Sequence, residues 1–209
     1  MQLILASGSP RRAMLLAQLG LPFQVVVPTI EEIVPDGMMP REAAAHLAMA
    51  KAHAVASGHE DALVIGSDTM VVLQEEILGK PASDQEAAVM LTRLQGRTHT
   101  VMTAVVVCHA VSARSWSHVD CAEVTMKRLT TTEIAAYVAT GESRDKAGAY
   151  AAQGEGARLI AAVSGDFFAV VGLPVRATIS LLEQAGLSVT ANVDAIYSRG
   201  SRRPLHQRS

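Results

Sequence analysis

The sequence of 209 residues predicts an α/β fold. Short apolar runs with the character of strands alternate along the chain with segments that carry helix-capping residues, and this alternation is typical of the class. Hydrophobic residues make up 49% of the chain and charged residues 18%, which suffices for a core and excludes a disordered protein. We find no internal repeat and no low-complexity linker, so we expect one domain, or one domain built of two lobes.

The first elements predict a strand, a turn and a helix. Residues 3–6 are an apolar run and indicate a buried strand. Ser9 and Pro10 are residue types preferred at the N-cap and at the first helical position, and Gly20 is the expected end of this helix. A second helix is predicted over about residues 40–58.

The rest of the chain predicts further strands and helices from the same signals. Capping boxes at residues 83–86 and 130–133 open helices that end at Gly96 and Gly141. A last helix is predicted over residues 173–186. The predicted strands are apolar or alternating runs, at residues 63–65, 70–73, 101–107, 115–127, 158–163 and 167–171.

The charge distribution sets the C-terminus apart from the rest of the chain. The formal net charge is −2, but residues 199–209 hold four arginines and no acid. Apolar periodicity is lost from about Leu187, so we expect a domain over residues 1–186 and a flexible basic tail over residues 187–209. The small net charge and the 3% of aromatic residues argue against a nucleic-acid partner.

Two further absences in the sequence bear on location. Cys108 and Cys121 are too few for a disulfide framework and do not form a CxxC pair. No apolar run has the length of a membrane span, and the chain begins with a strand-like run rather than a signal peptide. We therefore expect a cytoplasmic protein with no membrane partner.

The turn between the first strand and the first helix, residues 6–12, is a candidate anion site. Its small residues allow backbone N–H groups to approach a ligand, and the N-terminus of a helix carries partial positive charge. Arg11 and Arg12 fall in the first helical turn, where cations oppose the helix dipole unless an anion is bound. The alternative is that both arginines point into water or pair with distant acids.

Asp68 is a candidate catalytic acid because it lies between two strongly apolar segments. A buried carboxylate must be paired, bound to metal, protonated or placed at a cleft, since an unpaired charge in a core is costly. With the Thr69 hydroxyl beside it, the carboxylate suits Mg²⁺ binding or the activation of water for attack on a phosphate. The alternative is a structural Asp that caps a turn.

Five other polar residues are less specific candidates. Lys51 on an Ala-rich helix and Lys80 in a stiff loop are either surface lysines or groups that neutralise phosphate. Glu31 and Glu32 are either an exposed pair or metal ligands. Gln153 lies in a long glycine-punctuated loop, where its amide reads the edge of a base or simply bonds to backbone.

Several common sites are excluded by spacing. Gly154 and Gly156 do not form a dinucleotide fingerprint, because Leu159 stands where a third glycine is required. The first turn lacks the Gly-Lys-Ser/Thr of a Walker loop. The seven histidines provide no HExxH set, and no nucleophile elbow is present.

Taken together, the motifs resemble the Maf family of nucleoside triphosphate pyrophosphatases. The resemblance implies hydrolysis of a nucleoside triphosphate between the α and β phosphates, with release of pyrophosphate. It also implies a homodimer and an elongated, two-lobed fold with a curved mixed sheet flanked by helices around a central cleft. The matching stretches occur in the order of the family, at residues 5–12, 31–32, 47–52, 66–69, 79–81, 96–99, 145–150, 153–154 and 172–174.

The resemblance also implies a role for each matching residue. Asp68 corresponds to the catalytic carboxylate, and a divalent metal ion, Mg²⁺ or Mn²⁺, would bind at Asp68 and Glu31. The residues that correspond to substrate specificity are Arg11, Thr69 and Gln153. The residues that would bind phosphate are Ser7, Ser9, Arg12, Lys51 and Lys80.

The arginine pair and Gln153 are similar to the subfamily that acts on dTTP and UTP, which removes non-standard pyrimidine nucleotides. The sister subfamily that acts on 7-methyl-GTP is one alternative. A second is a nucleotide-binding regulator of septum formation without turnover. Ser67 departs from the family, which usually has Ala there, and adds a hydroxyl beside the catalytic acid.

Overall fold

The computed structural model describes residues 1–109, 112 and 114–201 of the chain. Within these residues a seven-stranded mixed sheet carries helices on both faces, which confirms the α/β class. Two short 3₁₀ helices, Ala147–Ala149 and Gly154–Leu159, precede the last strand. In chain order the strands and the other helices are β1 (Gln2–Ala6), α1 (Pro10–Ala17), β2 (Gln24–Val26), α2 (Pro40–Ala56), β3 (Ala62–Leu73), β4 (Glu76–Leu78), α3 (Asp84–Leu94), β5 (Thr98–His109), β6 (Arg114–Met126), α4 (Thr131–Ala139), β7 (Ile160–Ser164), α5 (Phe167–Val171), α6 (Val175–Gln184) and α7 (Val193–Ser201).

The sheet has the strand order β2-β1-β3-β5-β6-β7, and β4 pairs with the far end of β3. β1 runs parallel to both of its neighbours, whereas the other pairs are antiparallel. β3 is the central strand, and it pairs with β1 along residues 62–66 and with β5 along residues 63–72. The two strands predicted at residues 63–65 and 70–73 are therefore one continuous strand, and Asp68 lies in its middle.

The core has two layers, one on each face of the sheet. Leu63 and Ile65 pack with the layer that contains side chains of α3, α4 and α6. Ile4 and Val64 pack with the layer built mainly from α2. Because successive side chains of a strand point to opposite faces, a strand covered on both sides is apolar throughout, which explains the unbroken apolar runs of β1 and β3.

The predicted strand over residues 167–171 is wrong, because this segment is the helix α5. Its aromatic and β-branched residues favour a strand locally. However, the Asp166 carboxylate accepts a hydrogen bond of 2.8 Å from the Phe168 N–H and begins a helix instead. Gly172 ends it with a φ of 122°, which a side chain would strain.

The prediction of a flexible tail from residue 187 is also wrong over residues 193–201, which form α7. The Tyr197 hydroxyl donates a 2.6 Å hydrogen bond to Asp166, and its ring meets Phe168 edge to face. Ile196 is buried in the main core layer. Residues 202–209 of the predicted tail lie outside the described residues.

None of the helices in the described part of the chain is long and apolar enough to cross a membrane.

Candidate active site

A cleft of about 590 Å³ lies between the start of α1, the middle of β3 and the irregular segment that follows α4. The residues in it are far apart in the chain, so the fold brings them together. Glu31 is a predicted site residue that is not among those lining the cleft. The predicted site residues that do line it are Ser7, Ser9, Arg11, Arg12, Lys51, Asp68, Thr69, Lys80 and Gln153.

Asp68 and Lys51 form a buried ion pair on the wall of this cleft. The Lys51 Nζ lies 2.5 Å from Asp68 Oδ1, and the two residues are only 6% and 7% exposed. The pair depends on the close approach of α2 to β3, which Gly66 permits. A Cβ at this position would lie 2.2 Å from the Ala48 carbonyl oxygen of α2, so any side chain would push the helix away.

The Lys51 ammonium also lies 3.1 Å from Glu32 Oε1, so two carboxylates converge on one cation. Burial alone would raise the pKa of the Glu32 carboxyl. The charge of Lys51 and its hydrogen bond, together with the charges of Lys80 and Arg12, outweigh that effect and lower the pKa. Glu32 is therefore ionised at neutral pH. It lies near Lys51, Lys80 and Arg12, the same cations that would contact a bound polyphosphate.

Arg12 is fixed against three different parts of the chain. Its Nε donates to the Gly172 carbonyl oxygen at 2.8 Å, and Nη2 donates to Thr69 Oγ1 at 3.1 Å. Nη1 lies 3.4 Å from Ser7 Oγ. Burial lowers the pKa of Arg12 and the charge of Asp68 opposes that effect. The guanidinium is thus held in one place, so its side chain loses little conformational entropy when a ligand binds.

The N-terminus of α1 opens into the cleft without an acidic partner. Ser9 is the N-cap, but its side chain makes no capping hydrogen bond, and no acid lies in the first turn. Ser7 Oγ instead accepts a 3.1 Å hydrogen bond from the Ser9 N–H. Arg11 and Arg12 both line the cleft, which favours the anion-site interpretation over arginines that point away into water.

The opposite wall is an irregular segment that contains Gln153. Gly148 packs directly on β3, since a Cβ there would lie 2.8 Å from the Val71 side chain, and its N–H donates to the Gly79 carbonyl oxygen at 3.0 Å. This contact brings the loop of Lys80 and the loop of Gln153 to the same cleft. The site thus combines a basic wall with a second wall that carries the Gln153 amide, the Asp145–Lys146 ion pair and apolar side chains.

The sequence profile of the Maf-like protein family matches residues 2–185. The chain belongs to the Maf family. The resemblance drawn from the motifs is therefore confirmed, and the matched residues include every part of the chain that lines the cleft.

Curated relatives of this Maf protein align over most of its length. A dTTP/UTP pyrophosphatase from Moorella thermoacetica is 50% identical over 193 residues, which are 92% of this chain and 99% of that protein. The dTTP/UTP pyrophosphatase from Halalkalibacterium halodurans is 46% identical over 89% of this chain and 97% of its own. Among solved structures, a HAM1 protein from Coxiella burnetii aligns with a TM-score of 0.46 and 18% identity, over 62% of this chain and 74% of that chain.

Of the acidic pair, the structure places Glu32 and not the predicted Glu31 among the residues that line the cleft. Glu32 forms an ion pair with Lys51, with 3.1 Å between Oε1 and Nζ. Two adjacent side chains rarely face the same side of a non-helical segment, and the residue types of an acidic pair do not say which one turns inward.

Asp145 and Lys146 also line the cleft and carry no predicted role. Lys146 is nearly buried, is paired with Asp145 at 2.5 Å, and donates from Nζ to the Glu142 carbonyl oxygen at 2.6 Å. The available signal was their place in the motif at residues 145–150, next to the loop that contains Gln153.

Proposed function

We propose that this Maf protein hydrolyses dTTP and UTP to the nucleoside monophosphate and pyrophosphate, and so clears unwanted pyrimidine nucleotides from the cell. The observation that carries the proposal is the Asp68–Lys51 pair beside the partly buried Arg12, within one cleft. Relatives that are 41–50% identical over nine-tenths of the chain are named dTTP/UTP pyrophosphatases, which supports the same substrates here.

The basic wall binds the triphosphate in this proposal. Arg12 contacts phosphate oxygens as a planar fork, whereas Lys51 and Lys80 act as point charges. Ser7 and Ser9 line the start of α1, where the helix dipole and the backbone N–H groups favour an anion. These groups are held before the substrate arrives, so positioning and charge stabilisation supply most of the catalysis.

Asp68 is the general base. Lys51 occupies Oδ1, and the second carboxylate oxygen accepts a proton from a water molecule. The oxygen of that water attacks the α-phosphorus, and the bond from the α-phosphorus to the bridging oxygen breaks. Pyrophosphate leaves with the bonding electrons, and the water oxygen stays on the monophosphate.

A divalent cation fits the donor set of this wall. Asp68 and Glu32 present carboxylate oxygens around a single ammonium, and hard cations such as Mg²⁺ and Mn²⁺ prefer such oxygens together with phosphate and water. Within the described residues no group of three or more His, Cys, Asp and Glu side chains converges, so phosphate oxygens would complete the coordination. The ion would neutralise charge on the transferred phosphate.

The second wall selects the nucleobase. The Gln153 amide offers both a donor and an acceptor, which matches the edge of uracil or thymine. Arg11 and Thr69 are the other two specificity residues in this proposal, and the Thr69 hydroxyl also accepts hydrogen bonds from Arg12 and Thr103. A homodimer and a cytoplasmic location belong to the same proposal.

Turnover of a nucleotide panel in ¹⁸O-labelled water tests the function. We expect pyrophosphate release from dTTP and UTP, slower release from purine triphosphates and 7-methyl-GTP, and the label in the monophosphate only. Label in pyrophosphate would contradict attack at the α-phosphorus. Saturable nucleotide binding without turnover would instead support a regulatory protein.

A further inference from the structure

The segment that contains Gln153 has no sheet partner to fix its shape. Gly148, Ala149 and Gly154 have positive φ angles of 69°, 60° and 67°, and Gln153 itself is extended with φ −127° and ψ 171°. No strand pairing holds this backbone, so the position of Gln153 depends on the contacts that its neighbouring residues make.

Two side chains from α4 and the turn after it hold the segment on either side of Gln153. The Ala151 N–H donates to the Tyr137 hydroxyl oxygen at 3.0 Å, and this bond is buried. The Gly156 N–H donates to Glu142 Oε2 at 2.8 Å. The backbone groups that these two anchors, Tyr137 and Glu142, hold lie two residues before and three residues after Gln153. Together the two hydrogen bonds therefore fix the position of the loop on both sides of Gln153.

Tyr137 and Glu142 are also coupled to each other. Burial raises the pKa of the Tyr137 phenol, the hydrogen bond from Ala151 opposes this, and the charge and hydrogen bond of Glu142 raise it further. The phenol therefore keeps its proton, and its oxygen accepts a hydrogen bond from the Ala151 N–H. Neither residue lines the cleft, so neither is placed to touch substrate.

Gly154 and Gly156, which do not form a dinucleotide fingerprint, pack directly against Glu142 and Tyr137. A Cβ at Gly154 would lie 2.3 Å from Glu142 Oε1. A Cβ at Gly156 would lie 2.3 Å from the Ala151 carbonyl oxygen and 2.9 Å from the Tyr137 hydroxyl. The absence of side chains at both positions lets the backbone lie directly on the two anchors.

We propose that Tyr137 and Glu142 are positioning residues that hold Gln153 against the nucleobase and so set the preference for pyrimidines. This inference rests on the proposed function of the cleft. It assigns no chemistry to either side chain. Loss of an anchor releases the base-reading loop and leaves the phosphate wall of Asp68, Lys51 and Arg12 intact.

The main test is Glu142→Ala in the full chain, with Glu155→Ala as the matched control. Glu155 is an exposed acid of the same segment and forms an ion pair with Arg158, three residues further along the chain. We expect Glu142→Ala to raise KM for UTP and dTTP about tenfold, which corresponds to about 1.4 kcal/mol, with kcat changed less than about twofold. The preference for UTP over GTP falls by a similar factor, whereas Glu155→Ala behaves like the parent.

Two more variants separate positioning from loss of folding. Glu142→Gln keeps an oxygen that accepts from the Gly156 N–H, so it recovers part of the lost selectivity. Tyr137→Phe keeps the packing of the ring and removes its hydroxyl, and we expect it to match Glu142→Ala. If the anchors act as one unit, the double variant Tyr137→Phe with Glu142→Ala loses no more selectivity than the worse single variant.

Equilibrium binding of α,β-methylene UTP and α,β-methylene GTP, which cannot be cleaved between these phosphates, keeps the test independent of turnover. If the parent turns over no nucleotide but Glu142→Ala still narrows the difference in affinity between the two analogues, the proposed function fails and the inference stands. If the parent hydrolyses UTP and Glu142→Ala leaves KM and selectivity unchanged, the inference is wrong and the function stands. An equal fall of kcat for every nucleotide also overturns it.

Discussion

The two walls of the cleft are built by different means. The proposed phosphate wall takes Asp68, Lys51 and Arg12 from β3, α2 and α1, and the Asp68–Lys51 ion pair holds two of them. The second wall, called the base wall from here on because it is proposed to contact the nucleobase, is the irregular segment around Gln153, and hydrogen bonds from its backbone to Tyr137 and Glu142 hold it. The difference predicts that hydrolysis depends on the sheet, whereas the part of substrate choice made by Gln153 depends on a segment that can change without disturbing the sheet.

Asp68→Asn is the variant for which we expect the largest effect. An amide cannot accept the proton of the attacking water, so kcat falls by about 10³-fold, within the range typical of a lost general base. The fall is the same for UTP, dTTP and GTP, because the phosphate wall does not contact the base. The measurement is initial pyrophosphate release for each nucleotide.

Gln153→Ala tests the base wall as Asp68→Asn tests the phosphate wall. It is expected to lower the preference for UTP over GTP while kcat for the best remaining substrate stays close to that of the parent. A change of selectivity in Asp68→Asn would show that the two walls are not separable.

Gly66→Ala tests how far the phosphate wall depends on the sheet. The new Cβ would lie 2.2 Å from the Ala48 carbonyl oxygen, and backbone cannot move aside as a flexible side chain can. We expect a loss of about 3 kcal/mol in the free energy of unfolding, together with loss of activity as α2 moves from β3. Urea unfolding measures the first quantity.

Gly79→Ala is the matched control, because a Cβ at Gly79 would meet no atom within 4 Å. A stability close to that of the parent is expected for it. If Gly66→Ala were equally harmless, the contact between α2 and β3 would not be what sets the position of Lys51.

Much of the regular structure was predictable from local signals, and the site was predictable only in part. Ser83 caps α3 and Thr130 forms a full capping box with Glu133, as the sequence indicates. The strand predicted at residues 167–171 failed because the Asp166 cap outweighs the β preference of the aromatic and β-branched residues. β2 and β4 were missed because three residues at a sheet margin show no periodicity.

The site residues divide in the same way. Asp68 stands out in the sequence because an acid between apolar runs needs a partner. Glu32 and not Glu31 faces Lys51, a choice that depends on the path of a non-helical segment. Tyr137 and Glu142 were not predicted at all, because their partners are backbone N–H groups that no residue type reveals.

His99 supports the base wall from within the core and makes that support depend on pH. Its Nε2 lies 2.7 Å from the Tyr150 hydroxyl, and burial lowers the pKa of His99 from 6.5 to about 4. The folded state therefore binds fewer protons than the unfolded state at mildly acid pH, and stability falls as the pH falls from 6.5 towards 4. This residue should contribute a loss of about 2 kcal/mol between about pH 7.5 and about pH 5.

The comparison of the parent with His99→Gln isolates that contribution. The variant is expected to be less stable at neutral pH, and to lose about 2 kcal/mol less on acidification, because its side chain does not titrate. Unfolding by urea at the two pH values gives the difference. The same slope in both proteins would show that His99 is not responsible.

The smallest effect is expected at α7, far from both walls. Tyr197→Phe removes a 2.6 Å hydrogen bond to Asp166 but keeps the edge-to-face contact with Phe168, so we expect about 1 kcal/mol of destabilisation.

Asp166 caps α5, and the residue after α5, Gly172, accepts the hydrogen bond from Arg12. In this way α5 connects the C-terminal helix to Arg12 of the phosphate wall. A normal kcat in Tyr197→Phe, measured beside the unfolding curve, would show that the phosphate wall is fixed by the sheet alone. A tenfold lower kcat at nearly unchanged stability would instead show that α7 helps to position Arg12. The phosphate wall would then depend on the C-terminal helix as well as on the sheet.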